Sequence, residues 1–394
     1  MDAINELLTR GVDKIYPSKE ELEKILRSGK KLKLYQGFDP TGTQLHIGHM
    51  VGLRKLRQWQ DLGHKVIFLI GDFTAMIGDP SDKDSTRTPL THEQVMNNAK
   101  TYKDQVSKIL GFNGENPVQM KFNNEWLGKM TLSDFLKLAG NITHSQLVER
   151  DMFKNRIKKG KDVYISELLY PLLQAYDCVE MNVDVELGAT DQTFNMLMGR
   201  KLMRNMKQKE KFVMTTPLLT DAKGQKIGKT EGNVIALTDT PNELFGKIMS
   251  LSDDVIVRGF EYLTDVKMDD IKQIGEDLKG GKNPITYKKK LAFEIVKQLN
   301  DHNAAHKAQE DFEKKVQNKE QSLEIPVVNY KSGVSLAKIA IDESLVASNS
   351  EWKRLINQGG IKKDNEQLKN PGEVLSDKEI ILQKGRKSIK IKPI

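Results

Sequence analysis

Two hydrophobic periods interleave along the first half of the chain. Residues 33–38 form a short apolar stretch that reads as a strand, and a Gly/Pro/Thr-rich loop follows it. Residues 47–62 then carry Val51, Leu53, Leu56 and Trp59 at helical spacing, with Gly63 as a helix stop. Residues 66–70 are an unbroken apolar run, as expected of a strand buried on both faces. Strand, helix and strand within some forty residues make a βαβ unit, which predicts a parallel sheet with right-handed connections. Further strands are predicted at 118–122, 182–187 and 212–214, and helices at 92–110, 163–178 and 190–206. The alternation predicts a doubly wound α/β domain over residues 1–240. Residues 241–321 carry helical periodicity with little strand signal, and Lys279 to Pro284 reads as a turn between helices. Residues 322–332 read as a linker. Residues 333–394 predict two helices, at 335–341 and 351–358, followed by short strands; Ser348 and Glu351 have capping-box spacing for the second helix.

Charge sharpens this picture. The chain has 394 residues and a net charge of +8. From Lys331 to Ile394 there are 13 basic residues against 8 acidic ones. Two further basic clusters lie at 150–161 and 200–211. Each alone suits a solvated face, but three together favour a polyanionic partner such as nucleic acid. No apolar run approaches the roughly 20 residues of a membrane span, so no membrane association is expected. The N-terminus does not read as a secretory signal. Cys178 is the single cysteine, which excludes an internal disulfide and a Cys-rich zinc site, and the cytoplasm is the expected compartment.

Four stretches carry candidate chemistry. His46, Gly48 and His49 sit at a strand-to-helix turn after Asp39, Pro40 and Thr41. A helix N-terminus there offers N–H groups to a polyphosphate, and the imidazoles can donate to its oxygens. Lys226 and Lys229, three apart in a Gly-containing loop that ends at Thr230, form a movable cationic clamp. Tyr170, Gln174 and Asp177 fall on one face of a helix with apolar flanks, which favours a polar pocket over a solvated face. Asp191 and Gln192 follow one predicted strand and Asp79 follows another, at the sheet edge where ligands bind. Asp79 also suits a cap.

Together these residues resemble the class I aminoacyl-tRNA synthetases. The first turn matches the H-x-G-H signature, and Lys226 to Thr230 is a variant of K-M-S-K-S about 180 residues later. Tyr35 to Thr41 (Y-x-G-F-D-P-T), Gly78 to Ser81 (G-D-P-S), Tyr170 to Asp177 (Y-x-x-x-Q-x-x-D) and Asp191-Gln192 resemble the bacterial tyrosyl members of the class. The resemblance implies a Rossmann-like doubly wound catalytic domain with an insertion around 123–162 for the acceptor arm or a dimer contact. It also implies a helical anticodon-side domain at 241–321 and a small α+β alpha-L type RNA-binding domain at 333–394. The implied activity is a tyrosine-tRNA ligase that makes tyrosyl-adenylate from L-tyrosine and ATP and charges tRNA(Tyr). Mg²⁺ is expected with the ATP phosphates and no metal bound by the protein alone, and the family implies a homodimer.

By the same resemblance, Tyr35 and Asp177 hold the phenol, Asp79, Tyr170 and Gln174 hold the α-ammonium, and Gln192 lies near the carboxylate. Asp39, Thr41, His46, Gly48, His49, Asp191, Lys226 and Lys229 fall at ATP positions. Thr41, His46, His49, Lys226, Lys229 and Thr230 are the expected catalytic groups. Ala189 stands where many relatives have glycine, and Ile227, Gly228 and Thr230 replace Met, Ser and Ser of the loop. Three other readings stand beside this one: a tryptophanyl enzyme of the same architecture, a small-molecule nucleotidyltransferase, and a synthetase-like RNA-binding factor. Tyr35 with Asp177, the lysine loop, and the intact histidines and lysines respectively argue against them.

Overall fold

A computed structural model describes residues 2–81, 89–148, 151–227, 234–321, 326–364, 366–385 and 387–394. They form two compact units, 1–310 and 311–394. The first is organised on six strands: β1 (Lys14–Tyr16), β2 (Lys33–Phe38), β3 (Lys65–Ile70), β4 (Gln119–Phe122), β5 (Val185–Ala189) and β6 (Phe212–Thr216). Their order is β1-β6-β5-β2-β3-β4. β1 is antiparallel to β6, and every other pairing is parallel. From β2 the chain winds one way, to β3 and β4, and from β5 it winds the other, to β6. The topological switch therefore falls between β2 and β5, and the crevice beyond their C-terminal ends is where such sheets bind ligands. The α/β doubly wound expectation holds.

The central strands are apolar because both faces are covered. In β3 only Lys65 is exposed, and β6 is buried throughout. Helix Ile47–Asp61 buries Ile47, Met50, Val51, Leu53, Leu56 and Trp59, the stripe expected from its periodicity. Its middle is also tied by charge. Lys55 Nζ donates to the carbonyls of Leu7 at 2.9 Å and Arg10 at 2.6 Å, and Arg54 donates to the carbonyl of Thr264 at 2.5 Å. Burial, with Arg10 beside it, pushes the Lys55 ammonium down to about 7.

Several boundaries differ from the sequence reading. The stretch 92–110 is two helices, His92–Ala99 and Tyr102–Val106, not one. The break lets Tyr102 donate to the Gly42 carbonyl at 2.8 Å and Gln105 donate to Thr43 at 2.8 Å, while Gln105 Oε1 accepts from the Leu45 N–H at 2.8 Å. Those bonds hold the loop before His46. The strand expected at 182–187 begins at Val185, because Asn182 (φ +47°) ends helix Ile165–Met181 in the left-handed conformation. A 3₁₀ turn, Thr190–Gln192, precedes helix Thr193–Lys207. Helices Asn124–Leu127, Leu132–Ala139, His144–Val148 and Asp151–Lys158 fill the stretch between β4 and Ile165. Helices also account for most of 241–321.

In the second unit, β7 (Val327–Tyr330), β8 (Ile361–Lys363), β9 (Glu366–Gln367), β10 (Ile380–Lys384) and β11 (Lys387–Pro393) form a sheet in the order β7-β11-β10-β8-β9. β7 lies inside the stretch read as a linker; its partner β11 is some sixty residues away, so no local pattern marks it. Helices Leu336–Asp342 and Asn349–Asn357 pack on this sheet around Trp352, Leu336, Ile339 and Leu382. Ser348 caps the second helix, but Glu351 reaches the Ala347 N–H instead of closing a box on Ser348. Among the described residues, no helix is long and apolar enough to cross a membrane.

Candidate active site

The crevice between β2 and β5 gathers residues from six separate segments. β2 brings Tyr35 and, just past its end, Asp39 and Thr41. The end of β3 leads to Thr74 and Asp79, and β4 leads to Asn123 and Trp126. Helix Ile165–Met181 supplies Tyr170, Gln174 and Asp177, and the turn after β5 supplies Asp191 and Gln192. The loop after β6 brings Lys226. Gly228, Lys229 and Thr230 lie outside the described residues.

At the outer end, the histidines cap their own helix. His46 is the N-cap; its Nδ1 accepts from the Gly48 N–H at 3.1 Å, and His49 Nδ1 accepts from the His46 N–H at 3.1 Å. A neutral imidazole with an accepting Nδ1 carries its proton on Nε2, so both rings present Nε2–H as donors. The Ile47 N–H donates to Ile235 O at 3.0 Å and the His49 N–H to His46 O at 2.8 Å. The first-turn N–H groups, expected to face an anion, are thus already engaged, and the imidazoles hold that place. A Cβ on Gly48 would stand 2.9 Å from the His46 ring and 3.4 Å from the Ile227 carbonyl. The room left by glycine there is filled by the His46 ring and the lysine loop. The two motifs 180 residues apart are therefore neighbours. Lys226 Nζ pairs with Asp191 Oδ2 at 2.8 Å.

The middle of the site is a hydrogen-bonded chain. Tyr170 donates to Asp39 Oδ2 at 2.8 Å, and Thr74 donates to Asp39 Oδ1 at 2.8 Å. Asn123 Nδ2 donates to Thr74 Oγ1 at 3.0 Å and to Asp177 Oδ2 at 3.3 Å. Trp126 Nε1 donates to Asp177 Oδ1 at 2.8 Å. A Cβ on Gly71 would collide with Asp39 and Thr74, so this junction requires glycine. A second chain runs alongside. Gln192 donates to Asp79 Oδ2 at 2.7 Å, and Asn195 donates to Gln192 Oε1 at 3.2 Å and to Gln174 Oε1 at 2.8 Å. Asp79 Oδ1 accepts from the Ser81 N–H at 2.9 Å, closing a local turn as well as reaching into the site.

At the inner end, Tyr35 and Asp177 are 1% and 2% exposed. Burial pushes the Asp177 carboxyl well above the usual range, against the pull of Trp126 and Asn123. Burial and the neighbouring Glu186 do the same to the Tyr35 phenol. The structure thus links Tyr35, Asp39, Asp79, Tyr170, Gln174, Asp177, Asp191, Gln192 and Lys226 with the His46–His49 turn along the crevice. Thr41 lies exposed on the loop between β2 and that turn, its N–H on the Asp39 carbonyl. Thr74 belongs to the stretch 71–81 expected at this sheet edge; the structure adds Asn123, Trp126 and Asn195, which no motif marks, and of these Asn195 alone is traceable, four residues after Asp191 on the same predicted helix. Among the described residues, no group of three His, Cys, Asp or Glu side chains is placed to hold a metal ion.

Fold, switch-point crevice and paired motifs define a class I aminoacyl-tRNA synthetase. The family model for class I tRNA synthetases of the tryptophan and tyrosine type matches residues 27–317, and the chain belongs to that family. Among curated proteins it is similar to the tyrosine–tRNA ligase of Geobacter metallireducens, 43% identical over 97% of this chain and 96% of the relative. That of Mannheimia succiniciproducens is 41% identical over 96% and 95%. Among solved structures, a C-terminally truncated mitochondrial tyrosyl-tRNA synthetase from Aspergillus nidulans superimposes with a TM-score of 0.68 at 23% identity, covering 79% of this chain and 94% of that one. The tyrosyl-tRNA synthetase of Archaeoglobus fulgidus, solved with L-tyrosine, gives 0.61 at 23%, covering 78% and 100%.

Proposed function

We propose that this protein is a tyrosine–tRNA ligase, which joins L-tyrosine to ATP as tyrosyl-adenylate and then transfers tyrosine to the terminal adenosine of tRNA(Tyr). The observation that carries the reading is the inner end of the crevice. There the buried Asp177 carboxylate, braced by Trp126 and Asn123, shares a pocket floor with the Tyr35 hydroxyl. A phenol completes such a pair, and phenylalanine leaves it unpaired. Tyrosyl-tRNA synthetases are the established example of strong rejection of phenylalanine without editing, so the size of that effect is no new prediction. An indole, a donor only, matches the pair less well, and the named relatives are tyrosine ligases.

The carboxylate of tyrosine is itself the nucleophile on the α-phosphate. The protein therefore acts by alignment and by stabilising developing charge. Asp79, Tyr170 and Gln174 hold the ammonium, with Gln192 near the carboxylate. Asp39, Gly48 and Asp191 line the nucleotide, Asp191 near the ribose. Thr41, the Nε2–H groups of His46 and His49, and Lys226 with Lys229 and Thr230 act on the phosphates. Asp39, Asp79 and Asp191 each already hold a protein partner, which fits a Mg²⁺ ion carried in chiefly by the ATP oxygens.

The basic unit 311–394 and the 241–321 helices serve tRNA, and the work belongs to the cytoplasm. Leu132, Leu136, Ile157, Tyr164 and Ile165 are large and exposed on the segment after β4, which supports a homodimer contact there. Pyrophosphate exchange measured with each of the twenty amino acids tests the reading: exchange with tyrosine alone is expected, and exchange with tryptophan, or with none, overturns it.

A further inference from the structure

Lys211 and Glu186 form a charged pair buried behind the inner end of the crevice, and Lys211 also donates to the Met196 carbonyl at 3.1 Å. That pair is held within the core. Another pair, Lys247 with Asp239, holds a strip of backbone that touches the histidine turn. Lys247 lies on helix Pro241–Met249, and its Nζ is 2.6 Å from Asp239 Oδ2. No motif marks either residue.

The strip is 234–237, which follows the lysine loop in the chain. Ala236 pairs with His46 as a single antiparallel bridge. Two backbone bonds flank the bridge. The Leu237 N–H donates to the Leu45 carbonyl at 2.8 Å, and the Ile47 N–H donates to the Ile235 carbonyl at 3.0 Å. They fix the backbone of His46 on both sides, and with it the direction in which the ring presents Nε2–H. The Ile47 bond also satisfies a first-turn N–H that a helix leaves open. Ile235, Ala236 and Leu237 are buried, so the strip's remaining backbone groups need partners too.

Among the described residues, no strand pairs with the far edge of the strip. Side chains take that place. Asp239 Oδ2 accepts from the Ala236 N–H at 2.8 Å, and Lys247 Nζ donates to the Val234 carbonyl at 2.8 Å. Residues two apart on a strand turn their N–H and C=O groups to the same edge. The carboxylate therefore stands where a neighbouring strand would offer a carbonyl, and the ammonium stands where it would offer an N–H. Their ion pair joins the two into one clasp. On the near edge, Lys108 donates to the Leu237 carbonyl at 2.6 Å.

Resting on the ligase reading, in which the His46 and His49 rings act on the ATP phosphates, we propose that Lys247 and Asp239 are positioning residues for adenylate formation. They hold the strip, and the strip holds the backbone of His46. A shift of the strip moves the Nε2–H donor off the place where charge develops, and such donors lose effect with small displacements. The tyrosine end of the crevice is braced by other residues and does not depend on the clasp.

The test is tyrosine-dependent pyrophosphate exchange with the full-length protein. Lys247→Met keeps most of the stem and removes the charge and both bonds. It is expected to lower kcat about tenfold, the size of one hydrogen bond to a charged group, with KM and equilibrium affinity for tyrosine within about twofold. Lys247→Arg keeps a cation with donors for two acceptors, and is expected to stay within about threefold of the unmodified protein. Asp239→Asn probes the clasp from its other half and is expected to lower kcat about threefold. The decisive measurement is a double-mutant cycle with His46→Asn, which keeps a helix cap and removes the imidazole. In that background the effect of Lys247→Met is expected to shrink to within about twofold.

An effect of full size in His46→Asn overturns the positioning role, because the loss then runs through something other than the ring. So does an unchanged kcat in folded Lys247→Met, a tyrosine KM that rises as far as kcat falls, or a loss seen in tRNA charging alone. Should Lys247→Met not fold, the same cycle is run with Asp239→Asn and decided by the same outcomes. None of these results touches the ligase reading, which falls only if the unmodified protein shows no exchange with tyrosine.

Discussion

At the inner end of the crevice Tyr35, Asp177, Glu186 and Lys211 are almost wholly buried. At the outer end Thr41 and Lys226 are exposed, and His46 and His49 are half-buried. The inner groups are braced by one another and by Asn123, Trp126 and Met196. The outer groups come from a capped turn and from a loop that meets Asp191 through one lysine. The difference is one of tasks. Choosing a substrate by its hydroxyl requires groups without water, because only there does a missing hydrogen bond go unreplaced. Stabilising charge on a phosphate requires donors aimed at a place where charge develops.

Removing an inner group gives the largest effect. Asp177→Ala is expected to lower kcat/KM for tyrosine by more than about a hundredfold, leaving Trp126 and Asn123 as buried donors without an acceptor, while KM for ATP moves by no more than about twofold. Equal losses for both substrates in exchange kinetics would erase the contrast between the ends. His49→Ala is expected to lower kcat about a hundredfold, with tyrosine affinity, measured by equilibrium binding, unchanged. A loss of tyrosine binding would show that the outer end also shapes the inner one. The smallest effect is expected where the two meet. Asn123 touches Asp177 on one side and Thr74, hence Asp39, on the other. Asn123→Ala is therefore expected to weaken both tyrosine and ATP use about tenfold, and a change confined to one substrate would show that the ends work independently.

The same contrast governs how much is legible in the sequence. The outer end lies in contiguous motifs at strand ends, where Gly, His and Lys at set spacing imply phosphate chemistry; Asp177 is legible on the polar face of an otherwise apolar helix, while Tyr35, and the role of both on a phenol, enter through the resemblance. The bracing residues do not. Asn123 and Trp126 lie more than fifty positions from the carboxylate they hold, and Glu186 lies twenty-five from Lys211. A single buried Asn, Glu or Lys creates no periodicity, and partnership across a sheet leaves no local trace. The strand pattern is legible because burial on both faces produces apolar runs, as in β3. The division of 92–110 into two helices is not, since it depends on bonds from Tyr102 and Gln105 to a loop sixty residues earlier. β7 escapes for the same reason: its identity as a strand is conferred by β11.

The imidazoles at 46 and 49 join two economies that proteins usually keep apart. Helix starts favour Asp, Asn or Ser, and a short oxygen acceptor commonly holds the first turn about 1 kcal/mol better than a residue that caps poorly. Here the acceptors are ring nitrogens whose far side is a donor, and a carboxylate in their place would hold the turn while repelling phosphate. The helix start is therefore held below the stability its backbone could reach, and selection for heat resistance alone would be expected to erode these two positions first.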